Sequence, residues 1–232
     1  MKTEIFCTLG PKSLNKNFLK SVSRKVQLLR LNMSHLSIPS LKKNILFIRK
    51  YSNIPICIDT EGAQIRTKIP QKKYFTVGKK FKIFDSKSKI KFYPDEVKNI
   101  LKKGDKLDVG FEGLKLKIIK KKQKYLEAVV LSDGWFDGSK GVHVTNRHIK
   151  LSCLTKKDLV AIEIGKKNNI KNYALSFTNT VDDVNLFNKL LPKYNKIFKI
   201  ESSQALKNLN GIIYKGKNFL IDRGDLSKST SI

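Results

Sequence analysis

A chain of 232 residues with a 40% apolar fraction can form one large domain or two small ones around real cores, which excludes wholesale disorder. The net charge of +29 invites a polyanion, but nearly all of it is lysine, not the arginine that reads bases and clamps phosphates, so nucleic acid is not the expected partner. With no apolar run of bilayer length, no apolar leader after Met1, three scattered cysteines (Cys7, Cys57, Cys153) and no zinc-like histidine spacing, the expectation is a cytoplasmic protein with reduced thiols and no membrane.

The run from Glu4 to Leu9 reads as a buried strand that Gly10-Pro11 stops, and Asn15 to Lys25 carries Phe18, Leu19 and Val22 at helical spacing. Val26 to Leu31 is a second strand, ending in Asn32-Met-Ser-His35. Ser40 precedes a helix that extends to about Tyr51, and Pro55 to Ile58 is a third strand that delivers Asp59 and Thr60. The rhythm breaks near Lys68. From there to residue 139 short period-two runs such as Lys80–Phe84, Leu114–Ile119 and Glu127–Leu131 predict an inserted antiparallel β domain, whose lysines lie on solvated strand faces. The β/α rhythm returns with a capped helix at Thr155-Lys-Lys-Asp158, a strand at Tyr173–Phe177, a helix over Val181–Leu191, and strands at Lys196–Glu201 and Asn218–Asp222. The expected domains are 1–67 and 140–232 as the two parts of an α/β barrel, with 68–139 inserted as an all-β lid.

Polar residues collect just after these strands: Asn32 and Ser34, Asp59 and Thr60, Ser176, Lys199 and Glu201, Asp225. In a β/α barrel that edge builds the active site. Glu201 and Asp225 are the candidate divalent-metal pair, and Lys199, two residues before Glu201, shares its face of the strand. On that stretch alone a strand-end salt bridge is the simpler reading. Five strands aiming polar groups at one rim raise the functional one. Asn32, Ser34, Asp59 and Thr60 supply hard oxygens suited to a second cation.

Seven segments resemble the pyruvate kinase family in order: Cys7-Thr-Leu-Gly-Pro-Lys-Ser13, Arg30-Leu-Asn-Met-Ser-His35, Asp59-Thr-Glu-Gly-Ala-Gln-Ile-Arg-Thr67, Gly138-Ser-Lys-Gly-Val142, Leu154-Thr-Lys-Lys-Asp158, Lys199-Ile-Glu201 and Arg223-Gly-Asp-Leu226. The resemblance implies a (β/α)8 TIM-barrel type fold, incomplete at the C-terminus, with the insert as lid. It implies phosphoryl transfer from phosphoenolpyruvate to ADP, giving pyruvate and ATP in glycolysis, with Mg2+ and K+ as cofactors. By the same resemblance Arg30 and Lys199 hold the phosphoryl group and are the catalytic residues. Glu201 and Asp225 bind Mg2+, and Asn32, Ser34, Asp59 and Thr60 bind K+. The nucleotide lies against Asn32, Ser34, His35, Arg66 and Lys140, and the backbone at Gly224 contacts substrate. The complete form is expected to be a homo-oligomer.

Departures from the family pattern are Glu61 where many relatives carry Lys, Ala63 for Pro, His143-Val-Thr-Asn146 for Asn-Leu-Pro-Gly, Asp222 for a small residue and Ser227 for Gly. The sequence supplies six of eight expected strands, so a fragment or truncated reading frame is expected. Two other readings stay open: a catalytically silent relative that binds nucleotide or a partner chain, and a basic nucleic-acid binder.

Overall fold

The computed structural model describes residues 4–22, 25–110 and 113–229. β1 (Phe6–Thr8) is followed by α1 (Lys16–Ser21), whose cap Asn15 accepts the Phe18 N–H at 2.9 Å. Val22 closes α1, short of the expected Lys25; residues 23 and 24 of that reading lie outside the described residues. β2 (Leu28–Asn32) leads to α2 (Ile38–Tyr51) and β3 (Ile56–Asp59). Ser37, not Ser40, caps α2: its hydroxyl accepts the Ser40 N–H at 3.2 Å, and Pro39 occupies the first turn, where a missing N–H leaves no bond unmade.

The middle of the chain forms β4 (Ile65–Lys68), β5 (Lys73–Phe75), β6 (Lys80–Ile83), β7 (Lys91–Tyr93), the one-turn α3 (Val97–Ile100), β8 (Lys106–Val109), β9 (Leu114–Lys121), β10 (Leu126–Ser132), β11 (Gly134–Phe136) and β12 (Gly141–Val144). The last part forms α4 (Lys156–Lys167), β13 (Asn172–Leu175), α5 (Val181–Leu190), β14 (Asn195–Ile200), α6 (Ser203–Lys207), α7 (Leu209–Lys215), β15 (Phe219–Ile221) and α8 (Arg223–Ser229). No helix among the described residues is long and apolar enough to cross a membrane.

Two units result: Met1–Ala63 with Ser152–Ile232, and Gln64–Leu151. The second unit is larger than the 68–139 insert read from the sequence. Its sheet, in the order β6-β10-β9-β8-β12-β4-β7, takes in β12 through antiparallel pairing with both β4 and β8, so residues expected in the barrel belong here. β5 and β11 form a separate two-stranded ribbon. Period two is plain in β9, where Leu114, Leu116 and Ile118 are buried among Phe92, Leu107 and Ala128 while Lys115 and Lys117 are exposed. Those lysines are the solvated face of a half-buried sheet.

The first unit carries one sheet in the order β1-β2-β3-β13-β14-β15, every pair parallel. Advancing one place per crossover is the winding of a β/α barrel, whereas a doubly wound sheet reverses direction near its middle. Each strand is split by its two-residue period. Leu29 and Leu31, Ile58, Tyr173 and Leu175, and Phe198 and Ile200 join Leu41, Ile45, Ile162, Val184 and Phe187 of the helices in the main core. The opposite face holds a small cluster of Leu28, Cys57 and Ala174 with Ile197 packed on it. Two residues further along those strands stand Arg30, Asp59, Ser176 and Lys199.

Candidate active site

Parallel register turns five separate strand ends into one group. Arg30 stands opposite Cys57, Asn32 opposite Asp59, Asp59 opposite Ala174, and Lys199 opposite Leu220. Since the chain alternates faces, Arg30, Asp59, Ser176, Lys199, Glu201 and Asp222 all fall on the face away from the helices.

Lys199 is the centre of this group. Only 3% exposed, its ammonium lies 2.8 Å from Glu201 Oε1, 3.4 Å from Asp222 Oδ2 and 3.5 Å from Asp59 Oδ2, and 3.2 Å from the Ser176 hydroxyl. Burial alone would lower its pKa, but the charges of Asp59 and Glu201 outweigh it and hold it above the usual lysine value, so Lys199 stays protonated. Asp59, fully buried, accepts the Ser176 hydroxyl at 3.1 Å and has Arg30 Nη1 at 3.6 Å. Arg30 Nε is buried without a hydrogen-bond partner, an orphaned cationic donor beside Lys199's counter-ion. Such a donor fits an incoming anionic oxygen.

Glu201 and Asp225, the expected metal pair, are brought together, and the structure adds a third acid. One carboxylate oxygen from each of Glu201, Asp222 and Asp225 lies within 4.8 Å of the other two. Three hard oxygens at the mouth of a strand edge are the donor chemistry of a divalent cation such as Mg2+, so these residues fit one. Glu201 Oε2 also accepts the Phe177 N–H at 2.6 Å. Burial pushes the Glu201 carboxyl up to about 7, against the pull of Lys199 and the Phe177 N–H and with the help of Asp59. For Asp222, burial is outweighed by Lys199 and a bond to Glu201, and the carboxyl is held below its ordinary range. Sequence reading noted Asp222 only as a departure. The signal that places it in the site is the period of β15, which puts Leu220 and the residue two further on the face of Lys199.

The expected cation ligands on β2 and β3 meet as neighbours, their oxygens partly engaged. Asn32 Oδ1 accepts the Ser34 N–H at 2.9 Å, and Thr60 Oγ1 accepts the Ser176 N–H at 3.0 Å. Acceptor oxygens keep a second lone pair, so the set still fits a monovalent cation. Cys57, beside Asp59, is no nucleophile: burial first and then the Asp59 charge push its thiol far up, and it stays protonated.

A buried set of contacts anchors the turn after β3. Glu61, where many relatives of the resembled family carry Lys, accepts from the Thr155 hydroxyl at 2.7 Å and from Lys157 at 2.9 Å, and Lys157 also reaches the Met33 carbonyl at 2.5 Å. Asp158, fully buried at N3 of α4, closes the capping box with Thr155 and accepts the backbone N–H groups of Glu61 at 2.8 Å and Gly62 at 3.3 Å. Burial raises its pKa, and the Glu61 charge adds to that, while these N–H bonds oppose it. Gly62 sits at φ +69°, and a Cβ there would lie 2.6 Å from the Ser176 carbonyl oxygen. The turn therefore needs glycine.

Arg66, on β4, and Lys140, the residue before β12, are in the second unit. Arg66 stands opposite Gly141, and Thr67 and Lys140 exchange bonds through the Thr67 N–H to the Lys140 carbonyl and the Lys140 N–H to the Thr67 hydroxyl, both 2.9 Å. His35 follows β2, its N–H donating to the Asn32 carbonyl at 3.2 Å. Gly224 lies in α8, one residue before Asp225.

Comparison with known proteins agrees with this geometry. The family described as "Pyruvate kinase, barrel domain" matches residues 1–229. Plastidial pyruvate kinase 3 of Arabidopsis thaliana is 28% identical over all of this chain and 43% of its own length. The pyruvate kinases of Staphylococcus haemolyticus and Thermotoga maritima are 29% and 27% identical over 97% of this chain, which covers 42% and 52% of them. The chain thus spans about half the length of the relatives it matches. Parallel strands that step one way round a sheet and carry their charged residues at one end are what a match over residues 1–229 predicts, and the chain belongs to the pyruvate kinase barrel-domain family.

Proposed function

We propose that this chain carries the phosphoryl-transfer site of a pyruvate kinase, moving the phosphoryl group of phosphoenolpyruvate to ADP to give pyruvate and ATP, within a (β/α)8 barrel whose lid is the second unit. The observation that carries the reading is the pairing of Lys199 and the orphaned Arg30 Nε with the acidic trio of Glu201, Asp222 and Asp225. Phosphoryl transfer between two polyanions asks for fixed positive charge around the moving group, placed beforehand. Glu201 and Asp225 would hold Mg2+, which when bound supplies charge neutralisation at the transferring oxygens. Arg30 and Lys199 would grip the phosphoryl group, with Asp59 and Ser176 fixing the orientation of Lys199. The Gly224 backbone would contact substrate. Asn32, Ser34, Asp59 and Thr60 would hold K+, and His35, Arg66 and Lys140, with the Asn32 loop, would face the nucleotide. A homo-oligomer in the cytosol completes the reading, and the unpaired thiols of Cys57 and Cys153 suit a reducing compartment.

The test is pyruvate release from phosphoenolpyruvate and ADP, with and without Mg2+. Metal-dependent release that Lys199→Met abolishes is expected; release indifferent to both would sink the proposal. A second reading, a silent relative that keeps only its binding sites, is favoured by Asp222, whose carboxylate adds to the acids already on Lys199. Metal and nucleotide binding without turnover would select it.

A further inference from the structure

The carboxylate of Asp222 belongs to two groups at once. It lies 3.4 Å from the ammonium of Lys199, and it shares the 4.8 Å cluster with Glu201 and Asp225. The other two acids on Lys199 are fixed and buried. Asp59 has no exposed side-chain surface and is tied to Ser176; Glu201 is 1% exposed and tied to the Phe177 N–H. Asp222, just past β15, has 28% of its side chain exposed, so of the three acids on Lys199 it is the one with room to change partner.

Charge sets the direction of that change. In the site as it stands, the cations Lys199 and Arg30 face the four carboxylates of Asp59, Glu201, Asp222 and Asp225. A phosphoryl anion approaching Lys199 finds its ammonium already occupied and must displace a carboxylate. A divalent cation changes this: it brings positive charge to the three grouped carboxylates and offers Asp222 a better partner than a shared ammonium.

We propose that Asp222 is a metal-controlled counter-ion for Lys199. It occupies the ammonium while no divalent cation is present, turns to the cation as a third carboxylate ligand when one binds, and so makes anion binding conditional on metal binding. The proposal rests on the phosphotransferase reading of this site and goes beyond it, since the two ligands then bind in a preferred order, cation first.

The experiment measures two affinities on the full chain without turnover: Mn2+ alone, from the electron paramagnetic resonance signal of free Mn2+, and phosphoenolpyruvate by calorimetry, with and without Mn2+. In the wild type, Mn2+ should tighten phosphoenolpyruvate strongly, and by linkage phosphoenolpyruvate should tighten Mn2+ by the same factor. Asp222→Asn, which keeps shape, and Asp222→Ala should weaken Mn2+ about tenfold, tighten metal-free phosphoenolpyruvate about tenfold, and shrink the coupling accordingly. Asp225→Asn should weaken Mn2+ without the roughly tenfold tightening of metal-free phosphoenolpyruvate expected of the Asp222 variants, because the carboxylate the proposal releases from Lys199 is that of Asp222. Both Asp222 variants binding and coupling as the wild type does would overturn the proposal, as would unfolding of both, which would make the residue structural. A folded wild type that binds neither probe, with Glu201→Gln equally inert, would instead overturn the phosphotransferase reading itself.

Discussion

Replacing Lys199 by Met tests whether the site is held together by charge. The side chain is buried, and its loss leaves Glu201 with the Phe177 N–H and the bond to Asp222 but no cation, and Asp59 with Arg30 and Ser176. Removing one partner of a buried ionic group costs about 3–5 kcal/mol, because the acids stay behind without a counter-charge. The pH dependence separates this from a packing loss. Glu201 titrates at about 7 in the fold against 4.5 as an ordinary carboxyl, so it favours the fold fully below pH 4.5, and that advantage, about 3 kcal/mol, is lost as pH rises through 7. The raised pKa of Lys199 keeps it charged throughout this window, and its own contribution fades only above about pH 10. Without Lys199 the ionised Glu201 is penalised further, so the deficit of Lys199→Met should be about 4 kcal/mol at pH 8 and shrink to about half of that at pH 5. Urea unfolding followed by far-UV circular dichroism, in chelator, measures it. A deficit that stays constant or grows toward pH 5 would refute the electrostatic account.

Three further outcomes follow from single contacts. Gly62→Ala must place a methyl 2.6 Å from the Ser176 carbonyl oxygen at φ +69°, and should lower stability by about 2–3 kcal/mol in thermal unfolding; a neutral change would show that the turn relaxes. Thr155→Ala removes a helix cap and the hydroxyl on Glu61 and should cost about 1–2 kcal/mol, with Thr155→Ser restoring most of it. In the second unit Arg147 holds Asp105 by two bonds of 2.7 and 2.8 Å. Burial would raise the Asp105 carboxyl, but Arg147 and the Lys102 N–H outweigh it and hold it below its usual range. Its stabilisation is therefore present above about pH 4 and lost as pH falls through the lower folded value. Arg147→Leu should cost about 3 kcal/mol at neutral pH and remove that acid-sensitive component, read by fluorescence of Trp135, the one tryptophan. An unchanged acid transition would count against the pairing.

Local pattern sufficed for much of this protein. Short apolar runs bounded by turn residues mark the parallel strands, while alternation separates the lysine-lined face of β9 from its buried one, because burial in a half-exposed strand repeats every second residue. Thr155 with Asp158 reads as a capping box and forms one, since both partners lie within one helical turn. The placement of Lys199 and Glu201 on one face follows from the same period, and their 2.8 Å contact agrees. Even the small misplacements are local: Ser37 and Ser40 are both plausible caps by type, and only backbone geometry chooses between them.

What the tertiary structure alone decided is which distant charges meet. Glu61 finds Lys157 96 positions away, and Ser176 finds Asp59 across 117. Pairing of β4 and β12 with the antiparallel sheet moved the limits of the second unit to Gln64 and Leu151, a matter of strand partnership that no run of residues announces. Asp222 looks in the sequence like one substitution in a motif, yet the register of β14 against β15 sets it beside both Lys199 and the acidic pair. A chain can write the period of each strand into its own residues, but the electrostatic balance of a site is fixed by neighbours that only parallel pairing brings within a few ångströms.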